Sequence, residues 1–439
     1  MLARPIRRLL PIVVLYGGRV GTAALGLVVL PWLSRAMPAD QFGLAATILA
    51  LQTLAVVLDL GLSITISREF PVLSAEADRR ALLHRSERAL LTLYAAIAAI
   101  AAGLAAIGLL PMPVPTALLV CLALLLVVWQ NLLVIGFIAR QQFLTSTLAQ
   151  FTGLLLRHGG SLACVIAFSG TVEVFVAGQV AGAALVLAAS RLLFLHRHRA
   201  RDAAPVPARA VAATGVAVVV YTIAGACTLQ LDKVLLSALA SPVATGPYFL
   251  ASTLSLVPIT FLASPAAQFV QPKLIAALDG GHRPEARRWI ARLTLAILVL
   301  AVLPGIALGL AAPWLVPRWL HGAPQQAAVI RFATLLMPGA SIGALGLVPA
   351  IVLIARRDYR ALAAISCAMG IAVLSATAVL AARGDIAGVC VTYAVYHAVA
   401  AAALWWRAAR IEPGFANPLA IRGHVANGAA IQSARPDAP

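Results

Sequence analysis

Charge is scarce in this chain. Only 11% of its 439 residues are Asp, Glu, Lys or Arg, and 62% are hydrophobic. A soluble domain is about half apolar and a quarter charged. Mean hydropathy is +0.96. A water-soluble protein of this length could not bury so much apolar surface, so lipid is the solvent for most of it. Long polar loops are missing too, which leaves no segment to fold as a separate extramembrane domain and argues against a membrane polymerase or ligase. There is no GxxxxGK[ST] and no HExxH. That removes an ATP-driven pump and a zinc protease from the reading, and no enzyme activity is expected. The five cysteines (Cys121, Cys164, Cys227, Cys367, Cys390) stand singly in apolar runs. None has metal-ligand spacing, and each reads as a small core residue.

Acids are outnumbered by bases, 15 Asp and Glu against 33 Lys and Arg, for a net charge of +18. In a soluble chain this would suggest nucleic acid. Here the placement of the cations gives another answer. Crossing the hydrocarbon takes about 20 apolar residues in a helix. Twelve segments qualify: 11–36, 42–66, 89–110, 116–138, 146–169, 172–195, 211–240, 246–270, 290–312, 326–354, 361–382 and 386–408. Of the 33 cations, 26 fall at one set of segment ends and three (Arg35, Arg318, Arg383) at the other. Four (Arg19, Arg157, Lys233, Arg331) fall within segments. Cytoplasmic loops of membrane proteins collect Lys and Arg. The split therefore predicts a multi-pass protein with both termini cytoplasmic, and it explains the basic charge without nucleic acid. The opening "MLARPIRRLLPIVVLYGG" has a basic head, but its apolar run continues past Trp32, as a first transmembrane helix does and a cleavable signal does not.

The chain also repeats itself weakly. With a shift of 203 residues, "LSRAMPADQFGLAATILAL" (33–51) overlies "LSALASPVATGPYFLASTL" (236–254), aligning Gly43 with Gly246 and Leu51 with Leu254. Each stretch reads as a helix end, a Pro/Gly turn and the next helix start. This predicts two six-helix halves, 1–200 and 201–410, followed by a polar, disordered cytoplasmic tail at 411–439. Facing halves are a recurrent transporter plan with the substrate site between them.

The stretch 33–70 resembles the opening of the Wzx-type polysaccharide and O-antigen flippases. That family has an L-x-R-like helix end, a Pro-acid-Phe-Gly turn and a helix closing on "xLDLGL". Here these are Leu33-Ser34-Arg35, Pro38 to Gly43, and Leu58-Asp59-Leu60-Gly61-Leu62. In the second half, "LDKVLLSALASPVATGPYFLASTL" (231–254) is similar to the family's Asp-basic helix and Pro…Gly-x-Tyr turn. The resemblance implies the multidrug/oligosaccharidyl-lipid/polysaccharide (MOP) exporter superfamily and an all-α membrane fold of two six-helix bundles in a V. It also implies a bacterial inner-membrane location and flipping of undecaprenyl-diphosphate-linked oligosaccharide to the periplasmic leaflet, in O-antigen, capsule or exopolysaccharide synthesis. Polysaccharide polymerase and chain-length machinery are then possible partners. Two rival readings are an ion-coupled drug antiporter of the superfamily and a peptidoglycan-precursor flippase, the latter commonly with fourteen helices.

A diphosphate is anionic and must cross a low-dielectric layer, where one unpaired ion faces an idealised penalty on the order of 20 kcal/mol. A hydrated cationic cavity meets that need. Charges within spans usually face the bundle interior, and Arg presents a planar fork to phosphate oxygens. Arg19, Arg157 and Lys233 are the candidate substrate-binding residues, with Lys233 alternatively neutralising Asp232. Arg331 sits near a span end, within reach of headgroups. Asp59, Asp232 and His158 are candidate carriers of a coupling proton or sodium ion. Capping or pairing is the structural alternative for the acids, and a packed, hydrogen-bonded histidine for His158. No other cofactor is expected. The long run 211–240 predicts a tilted or bent helix, with Gly215 and Gly225 as bend sites. Pro258, Pro265 and Pro272 predict kinks in or after the eighth segment.

Overall fold

The computed structural model describes residues 21, 24–59, 62–70, 73, 75–110, 112–140, 142–196 and 215–412. Among them the regular structure is helix, with no strand. In chain order the helices are α1 (Ala24–Ala36), α2 (Ala39–Val57), α3 (Leu62–Glu69), α4 (Glu76–Ala106), α5 (Val114–Ala139), α6 (143–167) and α7 (Val172–His196). Then follow α8 (Gly215–Leu239), α9 (242–279), α10 (Arg283–Leu320), α11 (Gln326–Ala355), α12 (Tyr359–Ala382) and α13 (Ile386–Ile411). Each of the twelve predicted segments contains a helix, α2 and α3 lying in one segment. The predicted boundary at 200/201 and most of the predicted tail lie outside the described residues.

The helix starts follow local chemistry. Pro38 precedes α2 and Pro113 precedes α5; their fixed φ suits a helix entry. Ser241 caps α9 through Ala244 N (3.2 Å). Asp358 caps α12, and Asp385 caps α13 through Gly388 N (2.8 Å). These side chains satisfy N–H groups that the helix itself leaves unpaired. Large apolar side chains point outward, Phe168 and Leu310 each 80% exposed, as lipid-facing surfaces require.

Helices α2–α7 pack on one another, as do α8–α13, and the two sets meet where α2 lies against α8 and α9. One core cluster runs across that junction, joining Leu33, Phe42 and Ile48 to Leu236, Tyr248 and Leu250. At the arginine-rich ends the few acids are spent on cations. Glu87 accepts from Trp129 Nε1 (2.9 Å) and Arg191 (3.1 Å), and Asp358 from Arg407 (2.8 Å). Glu76 pairs with Arg140, which stacks on Phe194.

Three features depart from the predicted segments. The second segment is not one helix: α2 ends at Val57, and α3 starts at Leu62. The terminal N–H groups of α3 find an acceptor in Asp59, whose Oδ2 takes Ser63 N at 2.9 Å. Helix α8 runs through Gly225 without interruption, so that glycine is not a break. Helix α10 has 38 residues, about 57 Å at 1.5 Å per residue, against an apolar layer of about 30 Å. Its start at Arg283–Arg292 therefore projects past the hydrocarbon. Pro258 immediately precedes a π turn at Ile259–Ala263 in α9.

Candidate functional site: a cavity between the helix sets

A cavity of about 520 Å³ lies at the junction of the two sets. One wall comes from α1, α2, α5 and α6, the other from α8 and α9. Arg157, His158 and Lys233 line it, and among the described residues no acidic side chain does. So two of the three residues assigned to a cationic cavity share one space. Arg19, the third, lies outside the described residues.

Arg157 and His158 owe their position to an irregular turn. Helix α6 widens into a five-residue π turn at Leu155–Gly159, a form that recurs at functional sites. Two glycines of α7 let this turn come close. A Cβ on Gly182 would stand 2.4 Å from Leu156 O, and one on Gly178 would stand 2.7 Å from Ser161 Cα. The Gly178-x₃-Gly182 spacing is the small-residue motif of close helix pairs in membranes. Ser161 Oγ bridges the contact, hydrogen-bonded to Arg157 O (2.7 Å) and Phe175 O (3.0 Å). Arg157 Nε donates to Gly153 O (3.1 Å), which holds the stem of the side chain. Among the described residues no carboxylate pairs with its guanidinium. His158 Nδ1 stands 3.3 Å from Gln179 Nε2.

Lys233 is differently held. Its Nζ lies 3.1 Å from Asp232 Oδ1 and donates to Leu229 O. Asp232 Oδ2 accepts from Tyr248 OH at 2.7 Å. Both charged side chains are buried. Neighbours in sequence on a helix do not normally face each other, yet these two converge because Lys233 folds back along α8. Lys233 also lines a second, much smaller space of about 20 Å³ with Asp232, Tyr248, Ser255, Tyr393 and His397. That volume suits about one water-sized occupant. The lysine thus stands between a large cavity and a small polar pocket.

The remaining candidates are elsewhere. Asp59 sits at the α2–α3 break and does not line the cavity. Arg331 is exposed on α11. Tyr248 belongs to the Pro…Gly-x-Tyr turn noted in the sequence, whereas Tyr393 and His397 carry no assignment there; only packing brings all three into one pocket with Asp232. Contrary to the expectation from sequence that no GxSxG is present, Gly339-Ala340-Ser341-Ile342-Gly343 spells that motif. That motif needs a strand–turn–helix to expose its serine. Here it lies within α11, and Ser341 Oγ is buried against Met337 O (2.6 Å). Its glycines admit α13: a Cβ on Gly339 would stand 2.2 Å from Ala394 Cα.

At the arginine-poor end of the junction the two similar turns pack against each other. A Cβ on Gly43 would stand 1.7 Å from Pro242 O, and one on Gly246 would stand 2.8 Å from the Phe42 ring. Each sequence-matched glycine receives the other half's turn. Trp319 Nε1, on α10, adds a bond across the sets to Leu27 O on α1 (2.8 Å). About three turns along α9 from Pro242, Ser252 and Leu256 line the cavity.

Solved structures share this fold. The lipid II flippase MurJ in an inward closed conformation is 10% identical, with a TM-score of 0.68 over 98% of this chain and 94% of that one. An inward-facing multidrug resistance MATE family transporter of the MOP superfamily is 13% identical, with a TM-score of 0.69 over 91% and 96%. A MOP superfamily transporter from Pyrococcus furiosus, described as having a binding pocket of reversed polarity, is 14% identical, with a TM-score of 0.63 over 93% and 95%. No curated protein sequence matches the chain. The family described as polysaccharide biosynthesis protein matches residues 11–274. A multi-pass helical chain with the MOP transporter fold, matched to that family over more than half its length, belongs to the polysaccharide biosynthesis protein family.

Proposed function

We propose that this protein is a flippase for polyprenyl-diphosphate-linked oligosaccharide. It receives the substrate at the arginine-rich, cytoplasmic ends of the helices and releases it at the arginine-poor, periplasmic ends of a bacterial inner membrane. The observation that carries the reading is Arg157, which lines the cavity and, among the described residues, meets neither an acidic wall nor a carboxylate partner there. A half-buried cation left unpaired inside a span favours an anionic ligand, and its fork suits phosphate oxygens. A cationic drug would meet like charge there.

Lys233 supplies a second cation on demand. At rest Asp232 neutralises it. When phosphate oxygens enter the cavity, the ammonium can exchange its carboxylate for them, leaving Asp232 to take a proton or sodium ion. Each ligand then changes the other's affinity by the same factor, as linkage requires. His158 and Asp59 stand as further candidates for the coupled ion, His158 beside Arg157 and Asp59 at the helix break.

The test is Arg157→Ala against Arg157→Lys in the native host, at matched protein abundance. Arg157→Ala should abolish surface polysaccharide and leave the lipid-linked intermediate in the cytoplasmic leaflet. Arg157→Lys should retain partial export, because charge survives but the fork does not. Normal polysaccharide with Arg157→Ala, or altered drug efflux in its place, overturns the reading.

A further inference from the structure

The cations occupy only part of the cavity. The rest of its polar lining is neutral: Gln52 and Thr53 on α2, Gln230 on α8, and Ser252 and Thr253 on α9. Gln52 is unusual among these. It is 5% exposed, and its amide Nε2 has no hydrogen-bond partner. Two other buried glutamines with an unmatched amide atom, Gln130 and Gln179, use the opposite end of the amide on α6: Gln130 Nε2 donates to Ala149 O, and Gln179 Nε2 meets His158. Neither of them lines the cavity, and Gln52 does. Thr53, by contrast, has its hydroxyl hydrogen on Leu49 O (3.1 Å), so it offers a ligand only an acceptor.

A buried amide donor without a partner is costly and is rarely kept unless something meets it. Phosphate would be served better by the guanidinium. An amide and several hydroxyls with no net charge match the donors and acceptors of a sugar ring. From this, and resting on the diphosphate reading above, we infer that Gln52, with Gln230, Ser252 and Thr253, forms a separate subsite for the hydroxyls of the first sugar attached to the diphosphate. Gln52 Nε2 donates to a sugar oxygen. Arg157 and Lys233 hold the phosphates whatever sugar follows, while Gln52 discriminates among sugars. A site built to hydrogen-bond a hydroxyl rejects analogues that lack it, because its own polar group is then left unmatched.

The test uses the purified full-length protein in lipid nanodiscs. Binding is titrated with three probes: undecaprenol, undecaprenyl diphosphate, and undecaprenyl diphosphate bearing one hexose. The wild type should bind the hexosyl form about tenfold more tightly than the bare diphosphate, the scale of one to two well-made hydrogen bonds. Gln52→Met, close in volume and without the amide, should erase that preference and leave bare-diphosphate affinity unchanged, which also shows that the variant is folded. Gln52→Asn should keep part of the preference. The inference is overturned if Gln52→Met weakens both diphosphates equally, if it leaves the preference intact, or if the wild type shows no preference. In the last case, stronger binding of bare diphosphate than of undecaprenol leaves the diphosphate reading standing. Equal binding of all three probes removes both.

Discussion

Replacing Gly43 by alanine separates the junction from the helix that carries it. Gly43 lies inside α2, where alanine is intrinsically better than glycine by about 1 kcal/mol. The isolated helix should therefore gain. The junction should lose, because the new Cβ would lie 1.7 Å from Pro242 O, where a carbon and a carbonyl oxygen rest at about 3.3 Å. Relief requires the α2 and α9 backbones to part by about 1.6 Å, given those two distances. Overpacking of this kind costs about 1–3 kcal/mol. Since 1.4 kcal/mol is tenfold in an equilibrium, the closed arrangement should lose ground to the opened one by about five- to 150-fold. The assay is the labelling rate of a cysteine at Leu49, which lines the cavity, by an impermeant maleimide added from the arginine-poor side, in a background lacking the five native cysteines. Gly43→Ala should raise that rate within this range. Gly246→Ala should raise it less, because its Cβ meets the Phe42 ring at 2.8 Å and a ring can turn where a backbone cannot. Wild-type labelling in Gly43→Ala, or a larger effect from Gly246→Ala, refutes the claim that these turns seal the cavity.

Three further outcomes follow from the same geometry. Lys233→Met strands the buried Asp232 carboxylate, so thermal stability in detergent should fall, by about 3–5 kcal/mol for a broken buried pair. Adding Asp232→Asn should restore stability but not transport, which would separate folding from function. Gly182→Ala drives a Cβ to 2.4 Å from Leu156 O; by displacing the π turn it should weaken undecaprenyl diphosphate binding several-fold at unchanged protein abundance. Cysteines placed at 36–41 and 196–210 should label from opposite sides of the membrane, periplasmic and cytoplasmic respectively; the reverse pattern overturns the orientation.

Why the sequence reached some of this and not the rest is a matter of range. Crossing helices are legible because hydropathy is local: twenty apolar residues in lipid have few alternatives to a helix. The two similar Pro/Gly turns were legible in the sequence, and they lie against each other where the two helix sets meet, Gly43 on Pro242 and Gly246 on Phe42. Arg157 stood out because a charge inside a span is expensive and so rarely idle. The break at Asp59 was hidden, since "LDLGL" reads as uninterrupted apolar sequence until Ser63 N is seen on the carboxylate. Gln52 was hidden for a deeper reason. A neutral amide in an apolar run adds little to any hydropathy or charge count, and its meaning depends on what does not reach it. Only when α2, α8 and α9 are packed does it emerge as a cavity-lining residue whose buried amide nitrogen has nothing to bond. A charge within a span is conspicuous in sequence alone, whereas the neutral groups proposed to meet a sugar become visible only through the bonds that the folded chain leaves unmade.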